Sequence, residues 1–358
     1  MEKQEILRKF LERGLQLDYQ ALDYFFKNQN KIDIFFQKIS LEEKPTILSN
    51  EYILSILEEG EEDIEIIKKP EKTKTTLSID DITKIVNKRY SFLKKILSSR
   101  LDLINPISLN KINPKLKHFS SIIMVKEKFD DERAILGEDE TGEHKFFFEN
   151  VKEFNQILLD DTVGVVCETS GRTVIKSVMW PDIQMKRNIN KTSNEVNIAI
   201  IAHNFDATLA EKIQEKRSDL KYIIFVSDDG TITYSNKNKA TINLPCMVKI
   251  QKAIAILFSD SKILAKYHEF KNNQQIFLIS LLKRRCINPT FSFANESFEN
   301  DPYLIDVVPD IFVVFGTESN NNNNYKGTTI LTLSGFDIDQ KFWTVNLKTR
   351  ECINLRVE

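Results

Sequence analysis

Five carboxylates, Asp206, Asp228, Asp229, Asp260 and Glu318, each follow a short apolar run, and His203 sits just ahead of the first of them. A group at that position stands where a strand ends and a loop opens, and oxygen ligands so placed can crowd one Mg2+. Imidazole is scarce. The chain has four histidines, His118, His144, His203 and His268, too scattered to build a conventional metal site. A lone imidazole without neighbouring ligands binds metals poorly, so His203 reads as a partly exposed histidine at a strand end. An uncompensated carboxylate cluster is costly, and Asp and Asn are ordinary turn residues, so the acidic groups read as turn chemistry. Cys167, Cys246, Cys286 and Cys352 form no CxxC pair and read as free thiols.

The stretch DPYLIDVVPDIFVVFGTESNNNNNYKG, residues 301–327, concentrates the question. Residues 303–308 and 311–315 are β-branched and aromatic runs separated by Pro309 and Asp310, and the second empties into a polar loop. That loop offers one carboxylate, Glu318, and no histidine.

The elements that must position these groups follow from periodicity. Strands are expected at 196–202 and 222–226, a strand or strand pair at 247–258, and further strands at 303–308, 311–315, 328–333 and 342–355, with helices at 209–217 and 276–285. Strands alternating with helices and ending in consecutive strands fit layered α/β structure. Ahead of them, 120–180 alternates with period two and carries turn signals at Asp130 and Asp131, Thr141 and Gly142, and Ser170 and Gly171. Four or five short strands in that length suggest a small closed β-barrel, of which the OB-fold is the commonest nucleic-acid-associated example. Phe146, Phe147 and Phe148 cannot all face one side of a strand, so they read as core or partner contacts before base-stacking groups. The polar stretch 185–195 reads as a connection between domains.

Residues 1–57 have helical spacing, with Gly14 as a stop and Asp18 as a cap. The next segment, 58–77, is an acidic block followed by a basic one and reads as solvated linker. A helix begins at Ser78, and 79–118 holds nine Lys or Arg against three Asp. Lys88, Arg89, Lys94, Lys95 and Arg100 are the candidates for phosphate contact within a mainly solvated basic face. A net charge of -2 gives no global attraction to nucleic acid. No apolar run reaches the roughly 18 residues of a membrane span, and MEKQEILRKF lacks the apolar core of a signal peptide. A cytoplasmic, nucleoid-associated protein is the expectation, without a membrane partner.

Several widely placed segments carry a resemblance. SSRLDLINPISLNKI (98–112), GEDETGEHKFFF and VMWPDI, then LLKRRCINPTFSF, YLIDVVPDIF and NYKGTTILTLSGF, resemble the small subunit of the archaeal D-family DNA polymerase. The B subunits of eukaryotic replicative polymerases are more distantly similar. The likeness runs over about 78–358, its last three segments are the most specific, and the N-terminal bundle matches only in kind. It implies a multidomain α+β chain: a helical domain at 1–57, a charged linker at 58–77, a basic helix at 78–103, an OB-fold at 104–186 and a calcineurin-like phosphoesterase αββα sandwich at 187–358.

In active members the last domain is a metal-dependent 3'-5' exonuclease that proofreads for a large catalytic subunit. The resemblance places its ligands at strand ends, and this sequence departs at nearly all of them. His203 and Phe205 stand where an Asp-x-His is expected. A Gly-Asp becomes Ser227 and Asp228, an Asn-His-Asp group is missing, and a later histidine becomes Ser259. The Gly-His-x-His turn becomes VFGTES, with Gly316 and Glu318 at its two histidines. The expectation is therefore an inactivated domain with no catalytic residue, metal or cofactor. The chain would be a non-catalytic accessory subunit in a heterodimer with the polymerase large subunit, touching DNA weakly, with a sliding clamp as a further candidate partner. Two alternatives stay open: a proofreading exonuclease with an unusual metal arrangement, and a free-standing OB-fold binder of single-stranded DNA.

Overall fold

The computed structural model describes residues 2–29, 31–39, 47–50, 52–53, 64–71, 78–113, 115–185, 187–235, 240–262, 273–290 and 300–357. It is a mixed α+β protein with several β-sheets and, among the described residues, eight α-helices. His268 and most of the expected linker, 58–63 and 72–77, lie outside the described residues. The chain divides into two compact units, 1–65 with 250–252 and 66–249 with 253–358.

The first unit forms around aromatic residues spaced for helices. Helices α1 (Lys3–Leu11), α2 (Tyr19–Lys27) and α3 (Lys31–Lys38) bury Ile6, Phe10, Phe25, Ile32 and Phe35. The Phe10 and Phe25 rings lie 4.9 Å apart, and those of Phe25 and Phe35 5.3 Å. Gly14 takes φ +70 after α1, and Asp18 caps α2 by accepting from Ala21 N at 2.7 Å. A short parallel ribbon, β1 (Gln16–Leu17) with β2 (Ile47–Leu48), accompanies the helices.

The second unit opens with α4 (Ile79–Ser98), started by a capping box in which Ser78 and Asp81 each bond the other's backbone N–H. Five strands follow: β4 (His118–Phe129), β5 (Ala134–Asp139), β6 (Gly142–Phe148), β7 (Thr162–Ser170) and β8 (Arg172–Met179), with α5 (Val151–Gln156) between β6 and β7. Their pairing closes on itself in the order β4-β5-β6-β8-β7 and back to β4, with β6 and β8 parallel. Inside the cycle lie Ile123, Val125, Ile135, Phe146, Phe148, Val163 and Val165. The strand lengths and all three turn positions agree with the alternation in the sequence.

Two six-stranded sheets complete the unit. One has the order β12 (Ala240–Asn243), β11 (Thr231–Ser235), β10 (Leu220–Ser227), β9 (Asn197–Ala202), β18 (Lys341–Asn346), β19 (Cys352–Arg356). The other runs β16 (Asn321–Tyr325), β17 (Thr328–Leu333), β15 (Ile311–Phe315), β14 (Ile254–Asp260), β13 (Cys246–Ile250), β3 (Ile64–Lys68). Helix α6 (Ala207–Lys216) covers one face of the first sheet through Leu209, Ala210 and Ile213. Helix α7 (Gln274–Arg284) covers the second through Phe277, Leu278, Leu281 and Leu282. The alternate residues, among them Ile198, Ile200, Ile224, Ile256, Phe258, Val313 and Leu331, are buried as well, so the central strands are covered on both faces. Trp343 of β18 joins the two sheets by donating its indole N–H to Thr332 O of β17 at 3.0 Å.

Three expectations are corrected. The 303–308 run forms no strand: Pro302 and Pro309 bracket it, and Arg285 holds it by accepting Ile305 N at its carbonyl and donating its guanidinium to Ile305 O and Asp306 O. The asparagine run, expected as loop, is the edge strand β16. Residues 64–68, inside the expected linker, form β3, and the Lys68 ammonium donates to Leu304 O. The connection at 185–195 is strapped to the sheets, because Arg187 and Asn190 both bond the fully buried carboxylate of Asp310.

Candidate functional site

The strand ends converge on one edge of the layered sheets. Strands β9 and β10 run parallel, as do β14, β15 and β17, so Ala202 and Val226 end side by side in one sheet and Asp260, Phe315 and Leu333 in the other. The Trp343 bond to Thr332 brings the two sets of ends to the same side. Lys262 closes the gap between them: its ammonium lies 3.2 Å from an Asp260 carboxylate oxygen and 3.5 Å from Asp228 O.

His203 follows β9. Its Nδ1 lies 2.5 Å from Asn204 O, its Nε2 lies 3.5 Å from the exposed Asp337 carboxylate, and its ring meets Phe336 edge-on at 5.6 Å. Phe205 turns into the core beneath, its ring 5.2 Å from Phe225. Asp206 caps α6 by accepting from Thr208 N at 2.8 Å and Leu209 N at 3.2 Å. Ser227 and Ser259 are buried near the ends of β10 and β14. Asp228 is exposed, and Asp229 shapes the next turn by accepting from Thr231 N and Oγ1. After β15, Gly316 takes φ +74, and its carbonyl accepts from Ser261 Oγ at 2.7 Å. A Cβ on Gly316 would stand 2.8 Å from that hydroxyl, so both the backbone angle and the close approach call for glycine. Thr317 is buried and donates to Ser319 O, while Glu318 points to solvent.

A pair of divalent ions held about 3.5 to 4 Å apart needs a shared set of oxygen and imidazole ligands. The residues here do not fit that requirement. Phe205 brings a phenyl ring, Asp206 is a helix cap, Asp229 is a turn group and Asp260 is neutralised by Lys262. Among the described residues no cluster of three or more His, Cys, Asp or Glu is placed to hold a metal ion. Sequence reasoning missed Lys262 and Asp337; the SDSK run at 259–262 held the signal for the first, since a lysine two residues after Asp260 reaches back to it.

The basic helix divides differently from its sequence reading. Lys88 and Lys95 are exposed on α4, and Lys94 pairs with Glu140 at 2.9 Å. Arg89 is buried, with its donors turned inward: its guanidinium grips Asp301 through two bonds of 2.6 and 2.9 Å and donates to Asn288 O and Pro289 O. Arg100 is half-buried and spent on Asp102 and Trp180 O. Of the phenylalanine triplet, Phe146 and Phe148 are core, while Phe147 faces outward beneath Arg172, 5.1 Å from its ring centre.

Three ion pairs, two buried and one partly buried, tie the unit together. Arg89 with Asp301 anchors α4, Arg187 with Asp310 anchors the connection, and Arg284 of α7 reaches Asp161 beside β7 at 2.8 Å. Arg284 also lies over the Trp180 ring at 4.2 Å and donates to Gln156 O. Asp182 receives Tyr325 Oη at 2.9 Å and Lys326 Nζ at 2.6 Å. No protein-family model matches this sequence, and no curated protein matches it.

Proposed function

We propose that this chain is a non-catalytic accessory subunit that docks and stabilises the large catalytic subunit of a D-family DNA polymerase. The closed five-stranded cycle is then an OB-type barrel: its order is first, second, third, fifth, fourth, its third and fifth strands are parallel, and a helix joins the third to the fourth. The two helix-covered sheets are a calcineurin-like αββα sandwich without its metals. The observation that most supports this is the strand-end edge, where Phe205, Asp206, Asp229 and Asp260 are committed to core, cap, turn and lysine pair.

A scaffold whose site has lost its ligands still offers a rigid surface, and a broad protein interface uses that rigidity. The Arg284 to Asp161 bridge supplies it here, fixing barrel to sandwich across 123 residues of sequence. The exposed Lys88 and Lys95 add weak, salt-sensitive DNA contact. The test is size-exclusion chromatography of the purified chain mixed with the large polymerase subunit from the same organism. Co-elution at low salt is expected; separate elution at every ratio would sink the proposal.

A further inference from the structure

Strand β16 is the last strand of its sheet, and among the described residues it pairs on one side only, with β17. The hairpin turn has two residues, Lys326 and Gly327, at φ 48 and 80. Such a turn makes the flanking residues, Tyr325 and Thr328, a hydrogen-bonded pair, and alternation then turns the backbone groups of Asn323 and Asn321 toward Ile330 and Thr332, the Asn321 N–H donating to Thr332 Oγ1 at 2.8 Å. Asn322 and Asn324 therefore turn their N–H and C=O away from β17. Two bonds agree. Thr329, opposite Asn324, sends its N–H to Asp310 O on the far side of β17 at 2.9 Å. The N–H of Asn324 itself meets the Asn323 side-chain oxygen at 2.7 Å.

Open sheet edges are ordinarily blunted by lysine, proline or a bulge. The run SNNNNNY at 319–325 has no charge and no proline, and its register with β17 is unbroken. We infer that β16 is a strand-addition edge whose occupant is β16 of a second copy of this chain, antiparallel about a two-fold axis at Asn323. In that pairing Asn322 of each copy stands opposite Asn324 of the other, so the outward backbone groups bond reciprocally, and Asn323 faces its own counterpart. No like charges meet, and asparagine amides bond one another along such a ladder. The Asn324 N–H exchanges the Asn323 side chain for a backbone carbonyl, one bond for another. A two-fold pairing needs a strand that is its own complement, and a run of identical uncharged residues is one. This inference does not depend on the proposed polymerase partner.

The test is sedimentation of the full chain across the micromolar range. Wild type is expected to move with concentration from the 41.6 kDa chain mass toward twice that mass. Asn322→Pro removes an outward N–H that β17 does not use, and Asn323→Lys sets two ammonium groups against each other at the axis. Both variants are expected to stay at the single-chain mass with an unchanged thermal midpoint. A wild type that stays single at all concentrations would overturn the inference, as would both variants pairing as strongly as wild type. If wild type is single while Asn322→Pro loses binding to the polymerase large subunit, the edge takes a foreign strand and the second-copy assignment is wrong.

Discussion

Asp139 and Phe205 show how single side chains are spent in this molecule. Phe205 has no lone pair to offer a cation, and its ring contributes apolar contact under α6. Asp139, in the β5–β6 turn, gathers four donors: Leu109 N at 2.9 Å, Thr141 N at 2.7 Å, Thr141 Oγ1 at 2.6 Å and Gly142 N at 3.1 Å. Partial burial pushes its carboxyl up, but the Thr141 hydroxyl and the three backbone donors outweigh burial and hold it below its ordinary value of 3.8. The unfolded chain then binds this proton more tightly than the folded one. The stabilisation is complete above the unfolded value and is lost as pH falls through the lower folded one. Asp139→Asn keeps the size and removes the charge, and is expected to cost about 1–3 kcal/mol at neutral pH. Urea unfolding from neutral to acid pH checks it: the variant's midpoint should fall less steeply than wild type's, and parallel curves would show that the carboxylate contributes nothing.

Between elements, buried charge does what a cofactor does elsewhere, fixing geometry from a distance. Arg284 and Asp161 are almost wholly buried and satisfy each other, so removing one leaves the other uncompensated. Arg284→Ala or Asp161→Ala is expected to cost about 3–5 kcal/mol, whereas Arg284→Met combined with Asp161→Leu should cost clearly less. Chemical denaturation of the three variants checks this, and a double variant as unstable as the singles would contradict it. The same pairs explain what the sequence conceals. Strands β4 to β8 were legible because alternation and turn residues are local signals. Arg89 was not, because the partner that buries it, Asp301, lies 212 residues away and nothing near Arg89 distinguishes it from Lys88. Strand β3 was hidden by composition, since IEIIK sits between blocks of charge, and β16 by monotony, since four of its five residues are asparagine and carry no period. At the strand ends the sequence located the positions of the edge, while the cap of Asp206, the Lys262 bridge and the inward turn of Phe205 required the fold.

For the molecule as a whole, a helical unit accompanies a larger one in which a closed strand cycle and two helix-covered sheets are bolted together by ion pairs. The segments that carried the resemblance, VMWPDI for the barrel and LLKRRC, VPDIF and YKG for the phosphoesterase, supply residues of such ion pairs: Asp182 to Lys326, Arg284 to Asp161 and Asp310 to Arg187. They hold the scaffold whether or not a metal is bound. We propose, as the central claim, that the converging strand ends have the architecture of a hydrolytic site without its chemistry. The most direct measurement is shortening of mismatched primer ends, with Mg2+ or Mn2+, by the polymerase large subunit combined with either the wild-type chain or Asp228→Ala. The Asp228 carboxylate is exposed, so the variant should fold as wild type does and stay within about 0.5 kcal/mol of it. Identical rates for the two preparations are predicted; metal-dependent shortening by the wild type that Asp228→Ala abolishes would contradict the claim.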